Sequence, residues 1–220
     1  MTGVTGGADG DCILLLQVES DGLSQVSGGS GEDCIQVTNS VDIDSVSGGG
    51  DENDFIFMSA SDIRFVFGGS DYIETKDGTT IQTTLGGGLT PNQFYVIDTV
   101  VGGSLSMGDS IYAKNSFVGG DITGSTGNDV IELIEVTVTG SGGVVGNAGD
   151  DVISASRTDV DIINGGPGND KLFNVFPMIS QGSALALLNG GDDMDLCVFD
   201  SSQMSVNSQN CEEFWDPICL

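Results

Sequence analysis

Histidine is absent from this 220-residue chain, and lysine and arginine together number only five. Without histidine, a nucleophilic serine or cysteine lacks its usual general base, and zinc or copper would have to be bound through cysteines. The 33 acidic residues give a net charge of −28, which disfavours nucleic acids and anionic membrane surfaces as partners and favours cations. We therefore expect a protein that is not an enzyme and that binds a hard cation.

Long apolar segments are also missing. No run of about 18 apolar residues occurs, so the sequence predicts no membrane insertion. Residues 1–7 have neither the basic start nor the apolar stretch of a Sec signal peptide. We expect an extracellular location, reached by another export route or by assembly on a virion or cell surface.

Glycine is the residue that the chain has in excess. Its 35 glycines do not fall at every third position and accompany only four prolines, which excludes a collagen triple helix. Isoleucine, valine, leucine and phenylalanine recur in register with the glycines, which a disordered low-complexity linker would not show. Glycine-rich turns between short apolar strands are therefore expected.

One nonapeptide recurs along the chain. Its fullest copies are Gly28–Gln36 and Gly165–Phe173, in which a glycine turn leads to an aspartate and then to a short apolar strand. Looser copies occupy 6–14, 49–57, 124–132, 146–154 and 190–198. The anchoring aspartates are Asp11, Asp33, Asp54, Asp71, Asp109, Asp129, Asp151, Asp170 and Asp195. They recur about every 20 residues, which is a period typical of solenoids. The gap from Asp71 to Asp109 is close to two periods and therefore indicates one degenerate copy between them.

Each period contains a second strand without the aspartate turn, as in 41–43, 63–67, 136–138 and 160–162. Alternation of polar and apolar residues and β-branched side chains favours strands over helices. The predicted fold is an all-β, right-handed parallel β-solenoid or β-roll of about ten coils, with two short strands per coil. It spans 1–199, with an irregular insertion at about 76–95, and ends in a C-terminal cap at 200–220 that departs from the repeat. No division into further domains is expected.

The motif Gly-Gly-x-Gly-x-Asp-x-apolar-x resembles the repeat of the RTX (repeat-in-toxin, haemolysin-type) calcium-binding proteins. The resemblance is full at 28–36 and 165–173, partial at 124–132 and 146–154, and weaker at 6–14, 49–57 and 190–198. It implies calcium ions (Ca2+) held between neighbouring turns by main-chain carbonyls and the aspartate, with the apolar residue directed into the roll and away from the ligand. This chain departs from the family in carrying the motif on one side of each coil only, so a calcium ladder would follow a single edge.

The implied calcium ligands lie in the glycine turns and at their anchoring acids. They are Gly28, Gly31, Asp33, Asp54, Gly124, Gly127, Asp129, Gly146, Gly149, Asp151, Gly165, Gly168, Asp170, Asp193 and Asp195. Carboxylates stacked about 5 Å apart repel one another and need a cation, and calcium accepts six to eight oxygens in flexible geometry. The alternative is a metal-free solenoid whose turn aspartates bond to their own backbone.

The five cysteines leave one unpaired. Cys12 and Cys34 each follow an anchoring aspartate, so we expect them to be stacked on adjacent coils as a disulfide or a thiol pair. One further bridge is expected near the C-terminus, where Cys211 and Cys219 lie eight residues apart and Cys197 occupies an inward position.

Three functions remain open on the sequence alone. The favoured one is a non-enzymatic, calcium-binding structural or adhesive module of an extracellular surface or assembly. The second is a surface protein of a virus or phage particle, such as a decoration, fibre or spike. The third is a small polysaccharide-active β-helix enzyme using adjacent acids such as Asp150 and Asp151. Besides calcium, the expected partner is a protein surface or a polysaccharide. The sequence leaves open whether the chain forms a homo-oligomer or a larger assembly.

Overall fold

The computed structural model describes residues 3–23, 25–50, 53–68, 71–86, 92–106, 109–141, 143–175, 187–199 and 207–215. These residues form strands, turns and bends and contain no helix. In chain order the strands are β1 (Val4–Gly7), β2 (Cys12–Leu16), β3 (Glu19–Leu23), β4 (Val26–Gly29), β5 (Cys34–Thr38), β6 (Val41–Gly49), β7 (Phe55–Ser59), β8 (Asp62–Phe67), β9 (Tyr72–Lys76), β10 (Thr80–Gly86), β11 (Gln93–Ile97), β12 (Val100–Val101), β13 (Leu105–Ser106), β14 (Ser110–Lys114), β15 (Phe117–Val118), β16 (Ile122–Thr123), β17 (Val130–Ile134), β18 (Thr137–Val138), β19 (Val144–Val145), β20 (Val152–Ser156), β21 (Ile162–Pro167), β22 (Lys171–Val175), β23 (Leu187–Asp192), β24 (Leu196–Phe199), β25 (Asn207–Gln209) and β26 (Glu213–Trp215).

The strands form two parallel sheets that the chain visits alternately. Sheet 1 has 15 strands, and its main path runs β1-β4-β6-β8-β10-β13-β16-β19-β21-β23-β25. Sheet 2 has 11 strands in the order β2-β5-β7-β9-β11-β14-β17-β20-β22-β24-β26. Because neighbours in each sheet come from successive coils, this is the predicted parallel β-solenoid. Each path contains one strand more than the ten or so coils that were expected.

The core lies between the two sheets. Along sheet 2, from the second coil onward, the third residue of the anchor triplet is buried, as at Ile35, Ile56, Ile131 and Ile153, and it stacks on its equivalents in the adjacent coils. The residue between the aspartate and this position points outward, as the period-two alternation of a strand requires. The predicted inward direction of the apolar residue is therefore confirmed.

The direction expected for the aspartate is wrong. The sequence analysis placed the ligand carboxylate on the side away from the apolar residue, but the aspartate and that residue are two positions apart and both are buried. Asp33 and Asp170 are only 3% and 1% exposed. In an alternating backbone, positions i and i+2 lie on one side, so the anchor acids line the inner corner of the coil.

Two segments that were predicted to be irregular contain strands that pair within the two parallel sheets. Within 76–95, β10 pairs with β8 and β11 pairs with β9 and β14, although a register shift marks β10 between Ile81 and Thr84. Within 200–220, β25 pairs with β23 and β26 with β24, so the predicted cap contains a further coil instead of abandoning the repeat. Residues 87–91, 200–206 and 216–220 lie outside the described part.

The cysteines form a thiol pair and one disulfide. Cys12 and Cys34 are in register on β2 and β5, as expected, and both are free thiols. The C-terminal bridge joins Cys197 to Cys211. The inward position assigned to Cys197 from the sequence was correct, and Cys219 lies outside the described residues.

In the part of the chain that the structure describes, no helix has the length and apolar character needed to cross a membrane.

Candidate metal site at the aspartate edge

The anchoring acids are joined by a ladder of hydrogen bonds that runs along one edge of the solenoid. In each rung, Oδ1 of one aspartate accepts the backbone N–H of the anchor residue in the preceding coil. The donor–acceptor distances are 2.7 Å for Asp11 to Asp33, 2.8 Å for Asp33 to Asp54, 3.1 Å for Asp54 to Asp71, and 2.8 Å for Asp129 to Asp151, Asp151 to Asp170 and Asp170 to Asp195. These acids therefore cross-link successive coils directly. The ladder is interrupted between Asp109 and Asp129, where the Asp109 N–H donates to the Asn92 carbonyl oxygen instead.

Two members of this ladder are not aspartates. Asn92 is the degenerate copy: its Oδ1 accepts the Asp71 N–H at 3.1 Å, and its own N–H donates to Asp109 Oδ2 at 2.7 Å. At the C-terminal end Glu212 Oε2 accepts the Asp195 N–H at 2.7 Å. The sequence analysis missed both because it searched for aspartate alone. Asparagine and glutamate fit the rung because their side chains also carry an sp² acceptor oxygen, and the spacing of 21 residues from Asp71 to Asn92 was the available signal.

The second carboxylate oxygen has a different environment. Oδ2 of Asp33, Asp151, Asp170 and Asp195 is buried and has no hydrogen-bond partner in the described structure. It lies against the first glycine of its own turn, five residues earlier, so that a Cβ on Gly146 would collide with Asp151 Oδ2. The same Cβ would stand 2.6 Å from the carbonyl oxygen of Gly165 in the next coil. A carboxylate oxygen and a main-chain carbonyl oxygen thus converge above each of these glycines.

The same relation holds for the first glycine of the other turns that were predicted as ligands. A Cβ would meet the Oδ2 atom of the anchoring aspartate at Gly28, Gly124 and Gly165. The fourth-position glycines have another role. Gly31, Gly149 and Gly168 adopt φ of +110°, +133° and +137° and lie against the backbone of the preceding coil, whereas a Cβ on Gly127 would meet Ser125 Oγ at 3.7 Å, an ordinary contact distance.

None of the ion pairs found between described residues involves Asp33, Asp151, Asp170 or Asp195. The ion pairs in the described part of the chain are Arg64–Asp44, Lys76–Glu74 and Arg157–Glu135, and all three lie away from the anchoring aspartates. Burial therefore raises the pKa of Asp151 to about 7 and that of Asp170 to about 6. Repulsion from neighbouring acids raises both further, while the backbone N–H bonds act in the opposite direction. Burial likewise raises the pKa of Asp129 and Asp195.

Calcium suits the chemistry of these oxygens at four of the rungs. The donors are hard oxygens, an anionic carboxylate and main-chain carbonyls, which is the donor set that calcium prefers. No three His, Cys, Asp or Glu side chains of the described residues come close enough to share one ion. Each candidate site would therefore have one carboxylate oxygen, from Asp33, Asp151, Asp170 or Asp195, and would draw its other ligands from the main chain or from water.

Two predicted ligands do not fit this description. Asp129 Oδ2 accepts the Ser125 N–H at 2.7 Å, and Asp129 Oδ1 lies 2.9 Å from Ser125 Oγ. The serine occupies the place of the second glycine of the motif and satisfies the carboxylate without a metal ion. Asp193 is exposed, with φ of +79°, and stands in the turn outside the hydrogen-bonded ladder. Neither residue therefore contributes a buried carboxylate oxygen that lacks a hydrogen-bond partner.

The opposite corner of the coil carries a second ladder that the sequence analysis missed. At every described position six residues after an anchor, the chain adopts a left-handed φ of 47° to 57°: Gln17, Asn39, Ala60, Asp77, Asp98, Asn115, Glu135 and Arg157. The residue that follows is frequently a buried serine or threonine. Ser40 Oγ accepts the Val18 N–H at 3.2 Å, and Ser116 Oγ accepts the Thr99 N–H at the same distance. A Ser or Thr seven residues after the anchor was the available signal.

No protein-family model, no curated protein and no solved structure matches this chain.

Proposed function

We propose that the protein is a non-enzymatic structural or adhesive module of an extracellular surface or assembly, stiffened by calcium bound along its aspartate edge. The observation that carries this proposal is the set of buried Oδ2 atoms at Asp33, Asp151, Asp170 and Asp195, which have neither a hydrogen-bond partner nor an ion pair within the described part of the chain. A buried carboxylate without compensation is costly, and its charge has to be balanced by a proton or by a cation.

At neutral pH a cation is the more effective of the two. A proton on one carboxylate neutralises a single rung, whereas a divalent ion between coils neutralises one carboxylate and attracts the next. The rungs repeat at the strand spacing of about 4.8 Å, so neighbouring carboxylates feel each other strongly. The net charge of −28 adds a general repulsion that bound calcium would reduce.

An extracellular location is consistent with this use of calcium. The Cys197–Cys211 disulfide is typical of oxidising compartments, and calcium is plentiful outside cells. A ligand that binds only the folded chain stabilises it by about 2.7 kcal/mol per site at 100 times its dissociation constant. Several sites along the edge would make folding calcium-dependent, so that the stiff, folded solenoid would form only outside the cell.

Calcium titration by calorimetry, combined with thermal unfolding, tests the proposal. Asp151→Asn should keep the rung, because Asn92 shows that an amide oxygen accepts the same backbone bond. It should remove one calcium site and reduce the gain in melting temperature on adding calcium. Asp161→Asn, which changes the same charge at an exposed position, is the matched control and should bind calcium as the wild type does.

The calcium claim fails if the wild type binds no calcium at millimolar concentration, or if its melting temperature is the same with calcium and with EDTA. It also fails at this site if both variants lose calcium to the same extent. Strontium and magnesium serve as competitors, since a flexible oxygen site should prefer the larger ions.

A further inference from the structure

The outward side of sheet 2 is unusual for so acidic a protein. We call it the outer face: the residues of β2, β5, β7, β9, β11, β14, β17, β20, β22 and β24 that point away from the core. Large apolar side chains stand on it, among them Leu14, Phe55 and Val130, which are 57%, 44% and 50% exposed. Exposed apolar side chains that recur on one face of a sheet favour an interaction site there.

Four aromatic rings form a stack across its centre. Phe55 and Tyr72 are parallel with centroids 4.6 Å apart, Tyr72 and Tyr95 follow at 5.1 Å, and Tyr95 and Tyr112 at 6.0 Å. The first three rings are stacked along the solenoid axis, and Tyr112 is tilted by 40° against Tyr95. Neighbouring rings therefore cover one another's faces within the stack, and the Tyr72 hydroxyl donates to Glu74 Oε2 at 3.2 Å.

Charge is depleted and reversed on this face. Among the described residues it carries three of the five basic side chains of the protein, Lys76, Lys114 and Lys171, but only two of its 33 acids, Glu74 and Glu132. Lys76 pairs with Glu74 at 3.8 Å, so part of this charge is satisfied within the face. The outer face is close to neutral, while the rest of the molecule carries the large negative charge.

The face is also long, regular and of adequate size. Pairing from β2 to β24 proceeds without a register shift, whereas sheet 1 is interrupted by shifts at β10 and between β3 and β6. Ten strands spaced about 4.8 Å apart and about five residues wide give a face of about 48 by 16 Å. That area of about 800 Å² equals the contribution of one partner to a standard stable interface.

These properties select among partners. A polysaccharide would stack on open aromatic faces, but here neighbouring rings cover those faces. A nucleic acid needs a strongly basic surface, which three lysines beside two glutamates do not provide. The ridges of the face repeat at the strand spacing over its whole length, and a second surface with the same period fits them best. A second copy of this chain supplies such a surface.

We propose that the outer face is the interface of a symmetric homodimer, in which two solenoids pack sheet 2 against sheet 2. The arrangement is isologous, so every residue of the face contributes twice. It buries the aromatic stack and the exposed aliphatic residues, and it keeps both aspartate edges in solvent. It also joins the two acidic molecules at the surface where like-charge repulsion is smallest.

Sedimentation velocity of the full chain over a range of concentrations tests this proposal. Val130→Glu places a carboxylate in the interface and, through symmetry, adds it twice, so the dimer dissociation constant should rise at least about 100-fold. Val100→Glu is the matched control, because Val100 is 45% exposed on sheet 1 and undergoes the same change. It should dimerise as the wild type does, and circular dichroism should show both variants folded.

Phe55→Glu and Phe117→Glu form a second matched pair, on sheet 2 and sheet 1 respectively. The proposal is overturned if the wild type remains a monomer up to about 100 μM, or if Val100→Glu and Phe117→Glu weaken the dimer as much as their counterparts. Dimerisation should strengthen with sodium chloride in EDTA, because salt screens the repulsion of two anions. This arm contains no calcium, so its outcome is independent of the proposed calcium sites.

Discussion

Gly146→Ala tests the packing of carboxylate against glycine that defines the candidate site. The added Cβ would collide with Asp151 Oδ2 and stand 2.6 Å from the Gly165 carbonyl oxygen, far inside the usual contact distance of about 3.5 Å. The carbonyl belongs to the backbone of the next coil and cannot move without displacing that coil. We expect the Asp151 side chain to be displaced instead.

The magnitude follows from the contacts that would be lost. Displacing Asp151 breaks the 2.8 Å bond from the Asp129 N–H, and a hydrogen bond to a charged group is worth about 1.5–3 kcal/mol. Overpacking adds about 1–3 kcal/mol, while replacing glycine restores about 0.4–1 kcal/mol through the unfolded state. The net loss is about 2–5 kcal/mol, or about 4–20 °C in melting temperature for a chain of this length.

Gly127→Ala is the matched control, because both glycines belong to the same repeated motif. Its nearest neighbour would be Ser125 Oγ at 3.7 Å, which is ordinary contact, and its φ is not in the left-handed region. It should therefore leave the melting temperature unchanged or raise it slightly. Differential scanning calorimetry in EDTA measures both variants. Equal effects of the two substitutions would refute the argument that the buried carboxylate dictates the first glycine.

Three further predictions concern the ladders. Because burial raises the folded-state pKa of Asp151 to about 7 and of Asp170 to about 6 from an ordinary 3.8, the metal-free protein should lose stability as pH rises from 5 to 8. Urea unfolding after dialysis against EDTA measures this, and greater stability at pH 8 would contradict it. Ser116→Ala removes the acceptor of a buried backbone N–H and should lower the unfolding free energy by about 1–3 kcal/mol, whereas Ser154→Ala on the outer face should have little effect. Asn92→Asp adds a carboxylate between those of Asp71 and Asp109, so it should destabilise the protein in EDTA by about 1 kcal/mol or more; an unchanged unfolding free energy would contradict the argument that neighbouring rungs repel.

The solenoid could be predicted because its information is periodic and local. Glycines, an acid and an inward apolar residue recur about every 20 residues, so each coil has the same sequence pattern. The sequence alone therefore predicted that Ile35 and Ile153 lie in the core, where both are buried. Register followed as well, since a parallel stack places equivalent residues side by side, as the Cys12 and Cys34 pair shows.

The side to which the aspartates point could not be obtained from the resemblance to a calcium-binding repeat. Alternation places Asp33 on the same side as Ile35, and this backbone argument was available but was overruled by the expected role of the aspartate as an outward ligand. Asn92 was missed for a related reason. The rung requires an acceptor oxygen, not a charge, so a search for acids treated a regular coil as an insertion.

The hydroxyl corner and the last coil were missed because their signals are degenerate. Left-handed backbone is adopted there by residues as different as Ala60 and Arg157, so no single residue type marks the turn. In the last described coil Glu212 replaces the anchor, and its longer side chain still reaches the Asp195 N–H. The Cys197–Cys211 disulfide spans the same two coils, and its pairing depends on a coil that the sequence did not reveal.

Anomalous diffraction from crystals grown in calcium is the most direct test of the central claim. The account predicts calcium peaks about 2.3–2.6 Å from Oδ2 of Asp33, Asp151, Asp170 and Asp195, and none at Asp129, where Ser125 already satisfies the carboxylate. A map at millimolar calcium without peaks beside these four oxygens would contradict it.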